Sequence, residues 1–142
     1  MSEGKIVELI ISEIDLFIID RVRELRGRMY PYISQVELSQ RMGFADGYVG
    51  KVENFSSNAR YNIRKLHLLA FALNKSSYKD FLPDTILSTD LLYLKIEVNR
   101  QKNDKVQFDK ENNIIKNYKI LDKRPLNEVE IKAYNNRRKK TL

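Results

Sequence analysis

The chain of 142 residues has no cysteine, no tryptophan, a single histidine, three prolines and five glycines. Without cysteine there is neither a disulfide framework nor a thiolate metal site, a composition that suits a reducing compartment. His67 has no second histidine and no nearby carboxylate pair to complete a ligand set, so no metal site is expected. The acidic residues are scattered singly and no glycine-rich loop follows a strand pattern, so neither an acid–base pair nor a nucleotide site is legible. These absences argue against an enzyme and against any cofactor. No apolar run approaches the roughly 20 residues of a membrane span. The longest, ELIISEIDLFIID at 8–20, is broken by Glu13 and Asp15. The opening MSEGK lacks the basic-then-apolar order of a signal peptide. A cytoplasmic protein without membrane association is expected.

What the chain has is positive charge, unevenly placed. The net charge is +7, and residues 85–142 carry fourteen basic against eight acidic side chains. Such an excess attracts polyanions, nucleic acid first among them, although a lysine-rich solvated surface gives the same count.

Apolar spacings of three and four predict helices over most of the first 84 residues. EIDLFIIDRVRELRGRM (13–29) is amphipathic, and Gly27 and Pro31 loosen its end into a YPYI connector. SQVELSQRM (34–42) opens with Ser34 as N-cap and Glu37 three residues on, a capping box. Gly43 then sits where a left-handed helix stop belongs. A third helix is expected at 46–53 with Val49 and Val52 inward, a fourth at 63–73 capped by Asn62, and a short fifth over SYKDFL. Beyond Pro83 the period changes. LYLKIEV (92–98) alternates as a half-buried strand that needs a partner, either its own hairpin or a second subunit. KVQFD and IIKNYKIL, joined by KENN, suggest that hairpin. LNEVEIKAYNNRRKK reads as a helix with Asn127 and Glu130 as its capping pair, fraying from Asn135 into a basic tail.

Two short helices joined by a glycine turn are a helix-turn-helix arrangement. Ser39 is small enough to let the two backbones approach, Phe44 fills the space between them, and Gly50 reads as simple tolerance. On these residues the chain resembles the Cro and lambda-repressor-like, or Xre-type, regulators. The resemblance runs from about Ile19 to Pro83, through RVRELR, SQVELSQRMGFADGYVGKVEN, LHLLAFAL and FLP. It implies a mainly α fold: a five-helix lambda-repressor-like domain over 1–84, with its motif at 34–53. A small strand-or-hairpin plus helix extension would occupy 85–142.

The resemblance also implies double-stranded DNA as ligand and a homodimer as the working form. Asp46, Gly47 and Lys51 would face base edges, where a lysine donates to guanine and an aspartate accepts from cytosine. Ser34, Gln35, Tyr48, Asn54, Arg60 and Arg64 would lie against the sugar–phosphate backbone. Arg26 and Glu53 would form a buried ion pair. The function so implied is a sequence-specific transcriptional regulator, a repressor acting by operator occupancy. The alternatives are an autoregulating antitoxin that engages its toxin through residues 85–142, and an interaction adaptor that binds no DNA.

Overall fold

The computed structural model describes residues 4–99 and 105–139. Five α-helices, one 3-10 turn and a three-stranded antiparallel sheet form among them. In chain order these are β1 (Lys5–Ser12), α1 (Glu13–Gly27), α2 (Gln35–Met42), α3 (Tyr48–Glu53), α4 (Ile63–Ala72), the 3-10 turn (Tyr78–Phe81), β2 (Leu91–Val98), β3 (Tyr118–Pro125) and α5 (Glu128–Lys139).

The helix starts follow from local hydrogen-bond chemistry. Ser12, Ser34 and Asn62 each accept a bond from the backbone N–H three residues on, satisfying donors that the first turn leaves open. At α5, Asn127 accepts from the Glu130 N–H at 2.9 Å while the Glu130 carboxylate accepts from the Asn127 N–H at 3.0 Å, a complete capping box. The helix runs on from Asn135 to Lys139, where fraying was expected, and Lys140 lies outside the described residues.

The sheet order is β1-β2-β3. Opposed residues share a face, so Val7, Leu9 and Ile11 of β1 stand with Ile96, Leu94 and Leu92 of β2. That face joins the helical core formed by Ile19, Val22, Leu38, Val49, Val52, Leu66 and Leu69. α1 is fixed to α3 by Arg26 and Glu53, whose side chains are fully buried and meet twice, at 2.7 and 3.0 Å.

The mainly α, five-helix lambda-repressor-like fold expected from the sequence is thus not the fold of this chain. A sheet with an N-terminal strand is part of its core, and β2 finds its partners in β1 and β3. The period of β1 is masked because Ile6 and Ile10 on the outer face are as apolar as the inward residues. SYKDFL closes as a four-residue 3-10 turn instead of a fifth α-helix. α3 begins at Tyr48, two residues later than its pattern suggests. The hairpin at 105–121 reduces to one bridge, Phe108 to Ile114, while Tyr118 to Ile120 pair with β2 instead. The sheet takes one strand from before residue 84 and two from after it.

Burying one charge without the other is far worse than burying the pair. Glu53→Ala should therefore cost about 3–5 kcal/mol of stability, read as a lowered denaturant midpoint. An unchanged midpoint would contradict this account of the α1–α3 joint.

Candidate nucleic-acid interface

α2 and α3 meet through a turn that only a glycine fits without strain. Gly43 has φ 84°, its N–H bonds to Gln40 O and the Phe44 N–H bonds to Ser39 O. That is the Schellman closure of α2. Ser39, fully buried, then joins the helices through its hydroxyl. It donates to Gln35 O at 2.8 Å and accepts from the Val49 N–H at 3.0 Å. A small residue alone would allow the approach; the hydroxyl also satisfies a donor at the start of α3.

α3 ends in a second Schellman closure, with Phe55 N–H on Val52 O and Ser56 N–H on Lys51 O. Phe55 takes the left-handed position at φ 55°, where glycine is usual. The side-chain clash there costs about 1–2 kcal/mol. Burial of the ring and an edge-on contact with Tyr118, centroids 5.4 Å apart, offset that strain.

With Val49, Val52 and Glu53 turned inward, α3 presents Gly47, Lys51 and Asn54 to solvent. Lys51 makes no side-chain hydrogen bond or ion pair among the described residues. A Cβ at Gly47 would meet nothing within 4 Å, so this end of the helix is open to close approach. Asp46 is exposed but accepts from the Gln40 amide at 3.1 Å, and it does not cap α3, whose N-cap is Gly47. Arg64, on the first turn of α4, is exposed, and its side chain makes no hydrogen bond or ion pair among the described residues.

The remaining residues expected near phosphates have partners within the protein. The hydroxyl of Ser34 caps α2. The Gln35 amide donates to Glu53 at 2.9 Å, completing the buried pair, and its oxygen stands 3.1 Å from where a Gly50 Cβ would be. A Cβ at Gly50 would crowd the Gln35 side chain, which would have to give by a few tenths of an ångström. Tyr48 is half-buried between Phe44 and Tyr61, its hydroxyl 3.4 Å from Arg60 O, with the Lys65 ammonium 4.9 Å above its ring. Arg60 donates to the carbonyls of Ser57 and Ala59 and looks into a groove beside β1, and burial lowers its pKa.

Arg26 is supported beyond Glu53, donating to the Tyr32 hydroxyl at 2.7 Å and to Ile33 O at 3.0 Å. Burial alone would lower its pKa, but the Glu53 charge and hydrogen bond reverse that and raise it. It remains a cation throughout.

A third set of contacts has no signature in the sequence. Residues 105–118 lie across α1 and the end of α3. Arg23 donates to Ile115 O, Asn117 donates to Glu53 O at 2.9 Å, and the Tyr118 hydroxyl donates to Asp20 at 2.8 Å. Val106 sits against Gly27, where an added Cβ would approach it to 2.5 Å. Asn117 thereby takes up one of the terminal carbonyls of α3.

Among the described residues no group of three or more potential ligands could hold a metal ion, and no helix is long and apolar enough to cross a membrane. In comparisons with known proteins the chain matches no family model, no curated protein and no solved structure.

Ser39→Ala removes the acceptor for a buried N–H and should destabilise the protein by about 1–3 kcal/mol. Thermal or chemical unfolding measures this, and Ser39→Gly should fare no better. A neutral Ser39→Ala would mean that the hydroxyl does not join the two helices.

Proposed function

We propose that the protein binds double-stranded DNA through the exposed side of α3 and regulates transcription by occupying its site. The observation that carries this reading is the contrast within α3. Every apolar or acidic side chain of its inner face is locked into the core, while Lys51 and the bare Gly47 face outward, and Arg64 is exposed at the start of α4. A helix of six residues is about 9 Å long, short enough to enter a major groove end-on over a few base pairs. Lys51 is the base reader, donating to guanine O6 or N7. Arg64 takes a phosphate. Gly47 lets the start of the helix come close to the duplex. The resemblance of residues 34–54 to Xre-type regulators supports the same function. Gln35 and Ser34 act one step back, holding α2 and α3 at their fixed angle.

The working form is a homodimer that places two copies of α3 about 34 Å apart on a near-palindromic site. Its effect is repression by exclusion of other proteins, in the cytoplasm.

Selection of bound sequences from random duplexes, followed by titration of the winners, tests this reading. Affinity should fall steeply between about 50 mM and about 200 mM salt, as counterion release requires. Lys51→Ala should weaken binding about tenfold or more, as expected from the roughly 1–3 kcal/mol of a base contact, with an unchanged melting temperature. Failure to bind any duplex at low salt would overturn the assignment.

A further inference from the structure

We propose that the cavity between the end of α4 and the 3-10 turn binds a small aromatic carboxylate, its ring set among His67, Phe71 and Tyr78 and its carboxylate on the Lys75 ammonium. α4 supplies His67 and Phe71, which stand one turn apart on the same side of the helix. Tyr78 opens the 3-10 turn and meets the His67 ring, with Nδ1 and the hydroxyl 2.8 Å apart. The loop from Asn74 to Ser77 lines the rest of the cavity. Its volume, about 500 Å³, falls within the roughly 300–1,000 Å³ of small-molecule sites.

The walls favour a planar ring. His67 meets Phe71 edge-on, with centroids 5.1 Å apart and planes at 75°, and its plane is tilted 48° to that of Tyr78. Rings set at such angles offer a face and an edge to a further ring, the two arrangements that aromatic pairs prefer. Phe71 is 74% exposed and Tyr78 51%, so two large aromatic surfaces lie open in one cavity. A ring laid against them takes that surface out of water.

Charge sets the ligand's polar end. No acidic side chain lines the cavity, and Asp80, the nearest in the chain, lies outside the lining. Lys75 is half-buried, and its ammonium makes no hydrogen bond or ion pair among the described residues. A lysine just past a helix commonly bonds the last carbonyls. Here those carbonyls are already taken: Leu69 by the Leu73 N–H, Ala70 by the Lys75 N–H, Phe71 by the Asn74 N–H and Ala72 by the Arg41 guanidinium. Arg41 also offsets the partial negative charge of the helix end, which would otherwise oppose an anion. One free ammonium matches the single charge of a carboxylate. None of these residues belongs to the exposed side of α3, so the site stands whether or not that helix enters a DNA groove.

The full chain, isotope-labelled for NMR, is titrated with 2-naphthoate and, separately, with 2-naphthamide and cyclohexanecarboxylate. Naphthoate should shift the resonances of Phe71, Lys75 and Tyr78 with a dissociation constant of about 1 mM or tighter. The uncharged amide and the acid without an aromatic ring should each bind more weakly. Lys75→Gln and Phe71→Ala, both away from the core, should each weaken naphthoate about threefold to tenfold and leave the protein's spectrum otherwise intact. Equal binding of naphthoate and naphthamide would overturn the proposal, since Lys75 would then select nothing. Equal binding of the two acids would do the same for the rings. So would shifts spread over other lysines and unaffected by either variant, the mark of loose association with a basic surface.

Discussion

A helix as short as α3 has no stability of its own, since isolated helices below about 12–15 residues are marginal in water. What holds it is the two-point contact of Glu53 with Arg26, around which the rest of the structure is arranged. Arg26 comes from the fourth turn of α1, so one charge pair fixes the end of α3 to the longest helix. Tyr32, Ile33 and Gln35 fill the remaining hydrogen-bonding positions, and each comes from the connector or the first residue of α2. The pair therefore aligns three elements. A buried ion pair is a poor source of net stability against an apolar substitute. Its value here is geometric, because a planar guanidinium and a carboxylate meet in one orientation.

The sheet and the 105–118 segment extend this constraint. The same Glu53 whose side chain meets Arg26 offers its carbonyl to Asn117, one residue before β3 begins. Phe55, strained in its backbone, is packed against Tyr118, the first residue of β3. The C-terminal end of α3 is thus bonded to the sheet as well as to α1. A helix offered to a ligand on one side gains rigidity from being held on every other.

The elements whose determinants are local could be read from the sequence. Ser34, Asn62 and Asn127 announce helix starts through side chains that bond within a turn, and Gly43 announces a reversal through its backbone freedom. β2 shows its alternation because its outward residues Tyr93, Lys95 and Glu97 differ in polarity from the inward ones. β1 does not, because isoleucine stands on both faces. β3 is exposed at every position except Tyr118, and only its first residues fall within the strand pattern of IIKNYKIL. Without β1, the strands after residue 84 read as an extension rather than as part of the core sheet. At the candidate interface, the outward residues are legible through a resemblance, whereas the inward turn of Gln35 depends on Glu53, far away in sequence. The neighbour that an added Cβ at Gly50 would meet is likewise non-local, the side chain of Gln35.

Held at its end by α1 and the sheet, α3 should open only when the whole fold opens. Native-state amide exchange measures this directly. The N–H groups of Lys51, bonded to Gly47 O, and of Asn54, bonded to Gly50 O, should exchange with the same opening free energy as those of central β2 residues such as Leu94. If the α3 amides exchange orders of magnitude faster while β2 stays protected, the helix is only loosely attached and the account fails.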